Sequence, residues 1–159
     1  MQVDIEGRLP RAFGVSRAAL AAAAKLFARR SAARARLVFR SVAVVLQDDA
    51  ASDGAHRAVM SVEGATDVIT QRFEPIPPEP PGVYGELYVN CDMALRMGRK
   101  LAGSRRRWSP LAELLLYVAH GMDHLSGADD ATARERAAMR RRELNWLKSV
   151  VAGNGRGMG

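Results

Sequence analysis

The chain alternates between segments whose apolar residues recur at helical spacing and segments with the composition of strands. Val3–Ile5 is predicted to be a short strand, and residues 15–30 a helix, because apolar side chains recur there every three to four positions. The β-rich segment 37–46 predicts a longer strand that ends in a polar loop at Asp48 and Asp49.

Two further strands are predicted over 66–73 and 86–90, followed by a helix over 92–101 and a basic connection over 103–107. Residues 74–82, between these strands, contain five prolines. Because proline fixes its backbone and lacks an amide hydrogen, this segment is predicted to be an extended loop.

The clearest helix start lies at Ser109, which can cap a helix that has proline at its first position. Apolar residues mark a buried face as far as about Leu125, and Gly127 is suited to end the helix because it tolerates the left-handed conformation. A last helix is predicted to open at Thr132, with Glu135 three residues later as in a capping box.

The elements together predict one domain rather than several. The last helix should end near Val150, before a glycine-rich, disordered tail over 153–159. Residues 1–152 are therefore expected to form a single compact α+β domain, in which a small mixed sheet packs with helices.

The amino-acid composition and net charge indicate the class of protein and the kind of partner. Hydrophobic residues make up 48% of the chain and charged residues 26%, which indicates a soluble globular protein. The net charge of +7 comes almost entirely from arginine, which suits bidentate contact with phosphate and a polyanionic partner such as RNA. A GC-rich genome also favours arginine whatever the function, so the charge agrees with RNA binding without establishing it.

The cellular compartment is predicted from what the chain contains. Cys91 is the single cysteine, so neither an intrachain disulfide nor a cysteine-based zinc site can form. The alanine-rich segment Ala18–Ala24 is too short to span a bilayer, and Asp4 and Glu6 before it are unlike a signal peptide. We therefore expect a cytoplasmic protein with no membrane partner.

The candidate chemistry lies in residues 120–130. His120 and His124 are four residues apart, so a helix places both imidazoles on one face, where they can reach a common ion. Asp130, beyond the turn at Gly127, can supply a third ligand and leave one position open, as a catalytic zinc requires. A histidine pair at this spacing also occurs by chance. Gly121 stands where zinc proteases of the HExxH type carry their glutamate, which disfavours peptide hydrolysis.

The segment His120-Gly-Met-Asp-His124-Leu-Ser-Gly-Ala-Asp-Asp130 resembles the signature His-Gly-x-x-His-Leu-x-Gly-x-Asp-His of the YbeY family. Three further segments are similar to that family, in the same order along the chain: Thr66-Asp-Val-Ile69, Gly85–Asn90, and Met139 with Glu143.

The resemblance implies a zinc-dependent endoribonuclease, a hydrolase that cuts phosphodiester bonds of single-stranded RNA. Such a protein matures rRNA with the ribosome in the cytoplasm, and it carries one zinc ion per chain and no small-molecule cofactor. His120, His124 and Asp130 would be the ligands. This chain would be a divergent member, because the family has histidine at the position of Asp130. Asp129 is an alternative ligand if Asp130 is too short to reach.

Two other positions depart from the family pattern. The family usually has an arginine, thought to hold the RNA phosphate, where alignment back from Thr66 places Met60. Arg57 lies nearby and can replace it, or the phosphate contact is weakened. Asp123 stands where the family commonly has leucine, and it is either a general base or outer partner of a ligand imidazole, or a solvated surface residue.

Basic clusters offer further RNA contacts. Arg105, Arg106 and Arg107 precede Trp108, and arginine with an aromatic ring is a combination that binds single strands. They can equally form a solvated turn in which Trp108 packs against the next helix. The run 140–142 is expected to be a solvent face.

Three functions therefore compete. The first is an RNA-cleaving metalloenzyme, and the second is a ribosome- or rRNA-binding protein that has kept the fold with weakened or lost cleavage. The third and least favoured is a metalloprotease.

Overall fold

The computed structural model describes residues 1–60, 67–104 and 107–156, and for 55–60 and 151–156 it describes the backbone alone. The elements in this part of the chain form an α+β fold, as predicted. The strands are β1 (Gln2–Glu6), β2 (Phe39–Gln47), β3 (Val68–Phe73) and β4 (Val83–Asn90). The helices are α1 (Arg17–Ala35), α2 (Asp49–Met60), α3 (Cys91–Ala102), α4 (Pro110–Leu125) and α5 (Ala133–Arg156).

The four described strands form one mixed sheet in the order β1-β2-β4-β3. Strand β2 runs parallel to both β1 and β4, whereas β3 pairs antiparallel with β4. Alternate residues of the two central strands are buried in the same core as α1 and α4, among them Val42, Val44 and Leu87. The predicted small mixed sheet is thus confirmed, and its central strands form the support for α4.

Helix α4 is the central helix of the fold and packs against α1, α3, α5, β3 and β4. Its predicted start is confirmed, because the Ser109 hydroxyl accepts a hydrogen bond from the amide of Ala112 at 3.0 Å and Pro110 is the first helical residue. Packing on several sides buries even Glu113 and Asp123. Within the described residues, none of the helices combines the length and apolar character that a membrane crossing requires.

The prediction of a polar loop after β2 is wrong, because helix α2 begins at Asp49. Asp48 acts as the cap: its Oδ1 accepts a hydrogen bond from the amide of Ala51 at 2.8 Å. Aspartate is common both in turns and at helix N-termini, and the alanines that follow favour the helix.

Helix α5 begins as predicted but ends later. The Thr132 hydroxyl accepts a hydrogen bond from the amide of Glu135 at 3.1 Å, which confirms the capping pattern. The helix continues to Arg156 rather than to about Val150, because each residue added to an existing helix closes one more backbone hydrogen bond. Residues 157–159 of the predicted disordered tail lie outside the described residues.

A close contact between α3 and the start of α4 gives a test of this packing. A Cβ at Gly98 would lie 2.3 Å from the Cα of Pro110 and 2.9 Å from the carbonyl oxygen of Ser109, and backbone atoms cannot turn away. We expect Gly98→Ala to lower the free energy of unfolding by about 1–3 kcal/mol, measured by urea denaturation. The control is Gly103→Ala, where the nearest atom is 3.6 Å away. Equal stability of the two variants would contradict the contact.

Candidate metal centre

The structure brings the three predicted ligands together at one point. The Nε2 atoms of His120 and His124, one turn apart on α4, are 3.0 Å from each other. Oδ2 of Asp130 lies 3.4 Å from Nε2 of His124 and 3.9 Å from Nε2 of His120. Ligand atoms around a tetrahedral zinc, with bonds of about 2.0–2.1 Å, lie roughly 3.3 Å apart. The three side chains therefore fit a single ion.

The turn after α4 carries Asp130 back toward the histidines. Gly127 has a φ of 92°, a conformation that glycine adopts without a steric penalty. Its amide donates to the carbonyl oxygen of His124 at 2.9 Å, and the amide of Ala128 donates to that of Asp123 at 3.2 Å. These bonds end α4 as the sequence predicted and position the third ligand.

Each imidazole is held by a second contact on its other nitrogen. Nδ1 of His124 lies 3.1 Å from the carbonyl oxygen of Ala128, and Nδ1 of His120 lies 2.9 Å from Oε1 of Glu143. A carbonyl oxygen can only accept, so we assign the ring hydrogen of His124 to Nδ1, and that of His120 likewise. Both Nε2 lone pairs then face each other at 3.0 Å, an arrangement that a cation between them stabilises.

Nearby charges shift the pKa of His120 and of its partner Glu143. Burial lowers the pKa of His120, but the Glu143 carboxylate outweighs it, so this pKa lies above its usual value. Burial raises the pKa of Glu143, against the effect of His120, and the adjoining Asp123 raises it further. Because a metal binds the unprotonated nitrogen, ion and proton compete for His120, and metal affinity should fall as the pH falls.

Asp123 does not join the ligand group and is not at the surface. Its side chain is fully buried, and its Oδ2 accepts hydrogen bonds from Nε and Nη2 of Arg142 at 3.0 and 2.8 Å. Its Oδ1 lies 3.4 Å from Nε of Arg34, an ion pair without a hydrogen bond. A general base must reach the proton that it removes, and a carboxylate sealed between two arginines cannot. Its link to the site is through its neighbour Glu143.

Of the four arginines predicted to bind RNA, Arg107 is the one whose side chain the structure describes. Arg107 is exposed in the connection between α3 and α4, away from the cleft beside the metal ligands, whereas Arg105 and Arg106 lie outside the described residues. The backbone of Arg57 lies in α2 rather than in a strand, and its side chain, like that of Met60, lies outside the described residues.

Trp108 is held in place rather than free to stack on a base. Its Nε1 donates to Oε2 of Glu113 at 2.8 Å, and the ring packs against the core. Of the two predictions made for this residue, packing against the following helix is the one that the structure supports.

A cleft of about 570 Å³ opens beside the ligands, and some of the side chains that line it were not singled out for binding by the sequence. Arg136 and Arg140 of α5 contribute to it, as does Glu143. Glu143 had a weak signal in the sequence, as a charged residue one turn after the buried Met139. Its contact with His120 depends on how α5 packs on α4, which spacing along the chain does not give.

Fold and site together define a small α+β protein in which two histidines and an aspartate are grouped, as metal ligands would be, on the central helix and the turn that follows. The family model described as Endoribonuclease YbeY matches residues 14–151. The chain belongs to the YbeY family, which confirms the resemblance seen in its motifs.

Relatives and a solved structure agree with this assignment. The chain is 38% identical over 110 residues to the Endoribonuclease YbeY of Rhodopirellula baltica, across 69% of this chain and 54% of that protein. It is 31% identical over 104 residues to the Endoribonuclease YbeY of an Arthrobacter species, across 62% and 63% of the two chains. The alignments thus span less than two thirds of these relatives' lengths.

The solution structure of TM1509 from Thermotoga maritima superposes with a TM-score of 0.63 at 19% identity, across 99% of this chain and 93% of that one. At this identity the likeness concerns the fold alone, and it agrees with the single α+β domain described above.

Proposed function

We propose that this protein is a zinc-dependent endoribonuclease that cleaves single-stranded RNA during rRNA maturation and ribosome quality control in the cytoplasm. The observation that carries the proposal is the meeting of His120, His124 and Asp130 beside an open cleft. Membership of the YbeY family and the names of the relatives support RNA as the substrate. The ribosome is the proposed partner, in keeping with the net charge of +7.

The roles of the residues follow from their positions. A zinc ion held by the three ligands would supply Lewis acidity toward a phosphate oxygen or a water molecule. Glu143 and the carbonyl oxygen of Ala128 fix the two imidazole rings by hydrogen bonds to Nδ1. Asp130 lies on the open side of the group, with 42% of its side chain exposed, so it also contacts the space that the substrate enters.

Peptide hydrolysis of the HExxH type does not fit α4. A Cβ at Gly121 would lie 2.9 Å from Cδ2 of Leu87 and 3.2 Å from Cγ2 of Val68. The helix packs on the sheet at this point, so a glutamate would have to displace the side chains of Leu87 and Val68. This counts against a protease of the HExxH type.

The proposal is tested on purified wild-type protein with a fluorescent single-stranded RNA and a duplex of the same sequence. We expect cleavage of the single strand, loss of cleavage on chelation and recovery on addition of zinc. A zinc-loaded protein that leaves the single strand intact, or whose cleavage resists chelation and does not distinguish the two RNAs, would contradict the proposal.

A ribosome- or rRNA-binding protein with weak or no cleavage is the second candidate. A carboxylate as third ligand adds negative charge where a phosphate must approach, and Asp67, Glu113 and Glu143 line the same cleft. Metal-loaded protein that binds RNA and leaves it intact would favour this candidate.

The third ligand can be tested by restoring the family residue. Imidazole suits zinc, whereas carboxylate suits harder ions such as manganese. We therefore expect Asp130→His to raise the ratio of zinc to manganese affinity by about tenfold or more, measured by competition with a chromogenic chelator. RNA cleavage should rise in parallel, because one negative charge leaves the cleft. An unchanged ratio would show that Asp130 is not a ligand.

A further inference from the structure

Two arginines of α5 lie on the wall of the cleft next to the metal ligands. Arg136 and Arg140 line this cleft together with His120 and Asp130. They are four residues apart in one helix, so their side chains leave the same face with about 5–6 Å between their Cβ atoms. Both are exposed to solvent, and a ligand in the cleft can reach them.

Arg136 is anchored to the turn that carries the third ligand. Its Nη1 donates to the carbonyl oxygens of Asp130 at 3.1 Å and of Ala131 at 3.3 Å. A guanidinium group has five N–H donors, so Nε and Nη2 remain to bind a ligand. The contacts of Nη1 hold this charge beside the metal ligands.

Arg140 has its whole guanidinium group available. Across residues 1–60, 67–104 and 107–156, the structure shows no hydrogen bond or ion pair to its side chain. Its neighbours differ: Arg141 points to solvent, and Arg142 is bound to Asp123. A cation without an acidic partner, on the wall of a cleft, is suited to bind an anionic ligand.

The remaining cleft residues show why an RNA strand needs these cations. The carboxylates of Glu113, Asp130 and Glu143 all line the cleft and would repel a phosphate. One divalent ion offsets only part of that charge. The planar guanidinium group supplies the rest in a form that matches two phosphate oxygens.

The same cleft offers an apolar surface for a base. Its other lining residues are Met93, Met97, Leu116 and Tyr117. Single-strand binding commonly combines cationic groups along the backbone with apolar or aromatic surfaces for the bases. The cleft holds both, within reach of the metal ligands.

We propose that Arg136 and Arg140 bind the phosphates of single-stranded RNA on either side of the bond to be cleaved. This assignment rests on the proposed function, because it concerns the substrate of the same site.

The test measures binding of a short fluorescent single-stranded RNA by anisotropy at several salt concentrations, with a gel confirming that the RNA is intact. We expect Arg140→Gln to weaken binding about three- to tenfold and to reduce the slope of log affinity against log salt by about 0.7. Arg136→Gln/Arg140→Gln should reduce the slope by about twice as much. Metal content should stay unchanged in Arg140→Gln, since it contacts no ligand.

The matched control is Arg141→Gln, which removes the same charge from the adjacent, solvent-facing position and should bind RNA nearly as the wild type does. Equal affinities and slopes for Arg140→Gln and Arg141→Gln would overturn the inference, and so would a wild type that binds no RNA. RNA that binds through these arginines and stays intact with zinc present would support the inference and refute the nuclease proposal. Cleavage whose KM and kcat are unchanged in the variants of both arginines would support the nuclease proposal and refute the inference.

Discussion

His120→Ala should lose its metal and its RNA cleavage together. The change removes one of three protein ligands and leaves His124 and Asp130, whose contacts alone cannot enclose an ion. We expect metal content to fall from about one equivalent per chain to almost none after dialysis, measured by elemental analysis. Cleavage of single-stranded RNA should fall to the level of the chelated wild type.

Two companion variants show whether the loss comes from the ligand set. Glu143→Gln keeps the three ligands and removes the charge that orients His120, so we expect metal affinity to fall by roughly 10- to 100-fold. Asp129→Asn alters the exposed neighbour of Asp130 and should leave metal content unchanged. Full metal content in His120→Ala would place the ion elsewhere, and a larger loss in Asp129→Asn than in Asp130→Asn would make Asp129 the third ligand.

Arg142→Met should be strongly destabilising, although the arginine itself is partly exposed. Asp123 is fully buried and receives both of its hydrogen bonds from Arg142. Without them the carboxylate keeps only its ion pair with Arg34 at 3.4 Å. Removing one partner of a buried ion pair leaves an uncompensated charge, so we expect a loss of about 3–5 kcal/mol in the free energy of unfolding. Urea denaturation measures it.

Replacing Asp123 instead of Arg142 should lower the free energy of unfolding much less. Asp123→Leu leaves Arg142 and Arg34, whose side chains are 24% and 34% exposed and can turn their charges into water. The double variant Asp123→Leu/Arg142→Met should recover most of the lost stability, and Arg141→Met should stay within about 0.5 kcal/mol of the wild type. A double variant as unstable as Arg142→Met would show that the ion pair is not the cause.

The ligand group could be predicted because its geometry is local. Residues four apart on a helix face the same way in any protein, and a glycine after the helix provides the turn. His120, His124 and Asp130 lie within one helix and the turn that follows. Their meeting therefore depends little on how the rest of the chain packs.

Asp123 and Glu143 could not be placed in this way. Both are acidic residues on helices, and nothing along the chain distinguishes a solvated carboxylate from a buried one. Their partners are Arg34 and Arg142 for Asp123, and His120 for Glu143. These contacts arise where α1 and α5 pack against α4, between residues that are 19 or more positions apart in the chain.

The three arginines at 140–142 also separate what the sequence predicts from what the packing of helices decides. Its sequence predicts a helix, and a helix turns each successive residue by about 100°, so three consecutive arginines must point in three directions. How α5 packs on α4 determines which of these side chains faces the cleft, the solvent or the buried Asp123. In the folded protein, Arg140 lines the cleft, Arg141 faces solvent and Arg142 binds Asp123.

Periodicity and motif spacing were thus sufficient for the α+β class, the boundaries of α4 and the meeting of the three candidate ligands, because each depends on neighbours within a few residues. The packing of α5 on α4 decided which carboxylates are buried and which arginines line the cleft. Such contacts join residues far apart in the chain, and they form only when the apolar faces of both helices leave water together.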